Sequence, residues 1–138
     1  MEAPPRLPPA VYVWSLALAR SAVECAAAQE SSLLLLCPQE SAVMGGVPWF
    51  KALAERAREN IEINMLAGLE AGDDAALAFE AIQAGLDLLI FTGPPDVTTR
   101  LAAIAEKQKA LLLDRAPQAL VLASARDPEQ ALRSWLNR

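Results

Sequence analysis

The sequence predicts an α/β fold: a single three-layer domain around a mostly parallel five-stranded sheet. Short apolar runs begin near Val11, Leu33, Ile61, Leu88 and Leu111, roughly every 25 residues. An amphipathic helical pattern follows each of the first four. Parallel neighbours need a crossover, and a helix between strands supplies it. Helices on both faces of a flavodoxin-like sheet are one layout. A half-barrel completed by oligomerisation is the other.

The elements follow in order. Residues 1–9 hold Pro4, Pro5, Pro8 and Pro9, which favour an extended arm over a helix. Residues 10–138 form the single domain. Val11–Trp14 is the first strand, and Ser15 is a suitable N-cap for a helix from Leu16 to about Gln29. Leu33–Leu36 is a continuous apolar run, as a central parallel strand requires. A loop through Met44, Gly45 and Gly46 then leads to Pro48 at the first position of a helix. Ile61, Ile63 and Met65 alternate with Glu62 and Asn64 as a third strand, with a turn at Gly68–Gly72. Asp73 or Asp74 caps the next helix, which stops at Gly85. Leu88–Phe91 is the fourth strand, Asp96 caps the fourth helix, and Leu111–Leu113 is the fifth strand. Leu120–Leu122 fits either a short antiparallel edge or a packed loop. Asp127-Pro128-Glu129-Gln130 opens a last helix with a cap, a proline and a Gln three residues on.

Composition narrows the function classes. The 138 residues carry a net charge of −5 and no histidine. Without histidine there is no imidazole base, imidazole metal ligand or histidine triad. The acidic balance, with no Lys/Arg cluster interleaved with aromatics, argues against nucleic-acid binding. Cys25 and Cys37 lack zinc or redox spacing and are expected to be reduced thiols of a cytoplasmic protein. Arg20 and Glu24 interrupt the apolar stretch over residues 10–28, so neither a signal peptide nor a membrane span is expected. Apolar residues make up 54% of the chain, enough to leave helix surface for a homo-oligomer, most simply a dimer.

In an open α/β sheet the ligand crevice lies outside the carboxyl ends of the strands. Glu40, Glu70 and Asp73 fall there and are the candidate catalytic carboxylates. Capping is the first explanation of Asp73, and loop exposure that of Glu40 and Glu70, which are not obvious caps and so are the better catalytic candidates. Gly45, Gly46, Thr92, Gly93 and Arg115 are the candidate ligand-binding residues, through backbone N–H groups, a hydroxyl and a guanidinium suited to an anion. No Walker or dinucleotide glycine pattern accompanies them. No Lys lies at a strand carboxyl end for a Schiff base, and no histidine activates Cys37. No metal site and no cofactor are expected.

The five-unit plan is similar to response-regulator receiver domains, with Thr92 at the position of their strand-four hydroxyl. The first strand ends in Trp14-Ser15 where those domains have paired acids, and the fifth in Asp114-Arg115 where they have a Lys. A phosphotransfer role therefore has no support. Ala78–Pro95, AFEAIQAGLDLLIFTGPP, resembles βα units of aldolase-type TIM barrels. About five such units are too few to close an eight-stranded barrel. Together with WFKALAERARE and LAAIAEKQKALLL, this segment also resembles short bacterial α/β proteins, a likeness that brings no activity or site residues. The expected function is a binding or assembly module with a small anionic ligand at the strand carboxyl ends. The alternative is a small carboxylate-dependent lyase or isomerase related to TIM-barrel aldolases.

Overall fold

The computed structural model describes residues 7–122 and 125–137. The rest of the Pro-rich arm, residues 1–6, lies outside them. The chain runs β1 (Ala10–Tyr12), α1 (Leu16–Ala28), β2 (Leu33–Cys37), α2 (Gln39–Gly45), α3 (Val47–Ala57), β3 (Met65–Gly72), α4 (Ala75–Gln83), β4 (Leu88–Phe91), α5 (Pro95–Gln108), β5 (Leu111–Leu113), β6 (Ala119–Val121) and α6 (Pro128–Leu136). The class is the expected one, a parallel α/β sheet, with six strands instead of five.

Helix starts follow local chemistry. The Ser15 hydroxyl accepts from the Leu18 N–H at 3.2 Å, Asp74 from Leu77 at 3.0 Å and Asp127 from Gln130 at 3.1 Å. Each satisfies a backbone donor that a first turn otherwise leaves open. Asp96 does not cap α5. Pro94 holds that position and Asp96 sits inside the first turn, where its charge complements the helix dipole.

The strand order is β5-β4-β3-β2-β1-β6, and every pairing is parallel. The first five strands are neighbours in chain order, and right-handed crossovers between consecutive neighbours place every helix on the same side. The two faces of the sheet bear this out. Val11, Leu33, Leu35, Leu69, Leu89 and Phe91 pack with residues of all six helices. Ala10, Leu34, Leu36, Leu88 and Ile90 pack only with Leu7 and other strand residues, among the described residues. The expected three layers are therefore two, and the half-barrel layout holds over the flavodoxin-like one.

Chain length forces the sheet to curl. Six residue steps from Leu113 to Ala119 span at most ~22 Å. In a flat sheet β5 and β6 would stand five spacings apart, ~24 Å before any offset along the strands. The connection is too short for that, so the edges bend toward one another. Curling also buries Leu34, Leu36 and Leu88 completely although no described helix covers them. The result is a trough filled by aliphatic side chains, as barrel interiors are.

Three further expectations change. Residues 39–45 form α2 instead of a loop, because Pro38 at its N-cap starts a short helix. The third strand begins at Met65, four residues after the alternation begins, and includes the segment expected to turn. Ile61 and Ile63 instead pack against the helical core from an irregular approach. β6 is parallel to β1, because the chain returns to the amino-terminal end of the sheet before entering it.

Candidate functional site

In β3, MLAGLEAG, odd positions point to the helices and even positions to the trough. Glu70 thus shares the trough face with Leu66 and Gly68, and among the described strand residues of that face it alone is charged. Register places it at the carboxyl end, paired with Ile90, which pairs in turn with Leu113. Two strands away, Tyr12 pairs with Leu36 and Val121. Ala10 and Tyr12 share a face by the same alternation, so the phenol also points into the trough mouth.

Tyr12 and Glu70 meet there. Burial, with the neighbouring Glu70 carboxylate adding to it, pushes the Tyr12 pKa well above its ordinary 10.0. Both effects disfavour a phenolate. The Cys37 thiol, on the helical side of β2, is pushed up to about 12 by burial first and the Glu70 charge second. It is therefore a thiol and not a nucleophilic thiolate near neutral pH. Gln39 closes the adjoining corner, its amide donating to the Ala71 carbonyl at 3.3 Å.

The other expected site residues surround the mouth without joining this pair. Glu40 is exposed in the first turn of α2, and Asp73 is exposed at the turn after β3. Gly45 ends α2 beneath the Trp49 ring. Gly46, at φ +87°, links α2 to α3, and its N–H donates to the Ala42 carbonyl at 2.9 Å. Thr92 is exposed, and its N–H is held by the Gly72 carbonyl at 2.7 Å. Gly93 lies against the buried Phe91 ring. Arg115 is 87% exposed and lies 3.7 Å from Asp114. No hydrogen bond or ion pair connects Glu40, Asp73, Thr92 or Arg115 to Glu70 among the described residues.

Tyr12 was missed in the sequence. The signal was its parity with Ala10 in β1, which puts the chain's single tyrosine on the trough face. That signal has meaning only once β1 and β3 are known to flank β2.

No group of three or more His, Cys, Asp or Glu side chains among the described residues could hold a metal ion. No described helix is long and apolar enough to cross a membrane.

Consecutive parallel strands, one helical layer and a polar pair at the strand carboxyl ends define an open piece of (β/α)-barrel architecture. Among solved structures, the chain is similar to a candidate fructose-1,6-biphosphate aldolase from Coccidioides immitis, with a TM-score of 0.65 and 14% identity. The match covers 75% of this chain and 44% of that one, so the chain spans less than half the length of its neighbour. Identity at this level shows the fold alone. The chain matches no protein-family model and no curated protein sequence.

Proposed function

We propose that this chain is a binding module whose recognition site is the mouth of the trough. The observation that carries it is the Tyr12–Glu70 pair at the carboxyl end of an otherwise apolar surface. Leu36, Ile90, Leu113 and Val121 occupy the same end of that face. An apolar wall with a few placed polar groups is the common make-up of small-molecule sites.

Charge selects the ligand. A carboxylate beside a protonated phenol accepts hydrogen bonds and repels anions, so the pair suits a small hydroxylated or amine-bearing molecule. The small anionic ligand expected from the sequence would rely on Arg115, which must first leave Asp114. The lyase or isomerase reading uses the same Glu70 as base. It needs a second activated group beside it, and the pair supplies only a phenol held in its protonated form.

Thermal unfolding with a panel of polyols, amines, carboxylates and phosphates tests this. A ligand at about 100 times its Kd stabilises by about 2.7 kcal/mol. A polyol or amine is expected to raise the Tm of the native chain and not of Glu70→Gln. Anions that raise the Tm of the native chain and fail with Arg115→Ala would overturn the neutral or cationic ligand. A panel that never separates Glu70→Gln from the native chain would remove the site.

A further inference from the structure

The carboxyl end of β3 loses its ladder partners on both sides. Its pairing with β2 stops at Leu69, opposite Cys37. Pro38 has no N–H to continue that ladder, and the chain turns there into α2. On the other side the register with β4 slips. Glu70 stands opposite Ile90 and Gly72 opposite Phe91, so Ala71 is an extra residue. A bulge of this kind bends the strand and changes where its side chains point. Glu70 is therefore the last regularly paired residue of β3, and it is paired on the β4 side alone.

One side chain bridges the β2 side of this gap. Gln39, the first residue of α2, donates its amide to the Ala71 carbonyl at 3.3 Å. The carboxamide lies against Gly72, where a Cβ would stand 2.6 Å from its Cδ and closer still to Nε2. Gly72 has φ +60° and no side chain, so the notch that seats Gln39 needs a glycine. The Gly72 carbonyl in turn accepts from the Thr92 N–H at 2.7 Å. A line of contacts thus runs from the end of β2, through Gln39 and the bulge, to the end of β4.

We infer that Gln39 is a positioning residue: seated in the Gly72 notch, it fixes the bulged end of β3 so that the Glu70 side chain faces Tyr12. The inference rests on the Tyr12–Glu70 pair as the recognition site. The Glu70 charge acts on both the Tyr12 phenol and the Cys37 thiol, so the carboxylate stands over the end of β2, two residues before Gln39. A binding group has to be held to within about 0.5 Å, and neighbours locked by packing and hydrogen bonds do this. The backbone itself depends less on Gln39. The Ala71 carbonyl also accepts from the Asp74 N–H at 3.1 Å, so it stays paired when the amide is removed. Gln39 therefore acts on the direction of Glu70 more than on the stability of the strand.

The test is a double-mutant cycle of Tyr12→Phe and Glu70→Gln, read by urea unfolding, once with Gln39 in place and once in Gln39→Ala. With Gln39 in place the pair is expected to be coupled about tenfold in the unfolding constant. In Gln39→Ala the coupling should fall below about threefold. Gln39→Met keeps the notch filled and removes only the amide, and it should lose the coupling too. A side chain that served stability alone would lower the midpoint and leave the coupling unchanged. Undiminished coupling in either variant, or no coupling with Gln39 in place, overturns the positioning role. The cycle needs no ligand. Its failure leaves the recognition site to be judged by the polyol and amine panel, and a panel without response leaves the cycle to decide on Gln39.

Discussion

The Tyr12 phenol and the Glu70 carboxylate face one another across the intervening strand β2. Two residues 58 positions apart in sequence thereby become one polar unit at the mouth of an apolar trough. Tyr12→Phe removes the donor and leaves the ring. It is expected to destabilise the chain by about 1–3 kcal/mol, the range for leaving a buried polar group without its partner. Urea unfolding measures this. An unchanged midpoint would mean that water replaces the phenol at no loss.

Stability should fall in alkali. The Cys37 thiol pKa is raised from 9.0 to about 12, and the Tyr12 phenol pKa is raised from 10.0. Each group has a higher pKa folded than unfolded, so the folded chain holds protons that the unfolded chain releases. Their contribution is complete below pH 9. It declines between 9 and 12 for Cys37, and from 10 upward for Tyr12. Denaturation midpoints taken at rising pH should drop less steeply in Cys37→Ala and in Tyr12→Phe than in the native chain. Equal slopes in all three would assign the decline to other groups.

The two thiols should also differ in reactivity. Cys25 is partly exposed on α1, while Cys37 is buried. A thiol reagent at pH 8 is expected to modify one cysteine of the folded chain quickly, and the second only after unfolding. Rapid loss of both thiols would place Cys37 within reach of solvent.

Asp73 and Asp74 are adjacent and only one caps α4. Asp74→Ala should destabilise by about 1 kcal/mol, the usual loss for an N-cap. Asp73→Ala should change stability by less than about 0.5 kcal/mol, as exposed surface substitutions do. Equal effects on the midpoint would mean that the two carboxylates share the cap.

Gly93 packs where no side chain fits. A Cβ there would stand 2.4 Å from Cζ of Phe91, whose ring is 1% exposed and has nowhere to move. Gly93→Ala is expected to cost about 1–3 kcal/mol from overpacking. A glycine held by packing also explains this position without a phosphate contact. A variant as stable as the native chain would show that the β4–α5 turn can open.

Much of the fold was legible in local chemistry. Ser15 and Asp127 cap the helices they were expected to cap, and β4 and β5 fall on Leu88–Phe91 and Leu111–Leu113. These features depend on near neighbours in the chain and on apolar runs bounded by turn residues. β3 was placed too early because Ile61, Ile63 and Met65 alternate like a strand. Ala67, Gly68 and Ala71 have weak strand character of their own, and they lie in the sheet because small residues suit a strand packed on both faces. Gly68 shows the closeness: a Cβ there would meet Leu88 Cδ2 at 2.9 Å. Glu70 moved with that shift from an expected loop to a half-buried place on a strand. Asp96 misled in the opposite way, since Pro94-Pro95 starts α5 before an Asp cap is needed.

The sequence by itself determined the alternation of strand and helix, the helix starts and the parallel class, because each follows from local propensity, capping and crossover length. Tertiary structure alone decided that all six helices share one side, that the sheet curls, and that Tyr12 faces Glu70. Those depend on which strands become neighbours and in what register. Contacts between residues far apart in the chain set that order, and a shift of one residue turns every side chain of a strand to its other face.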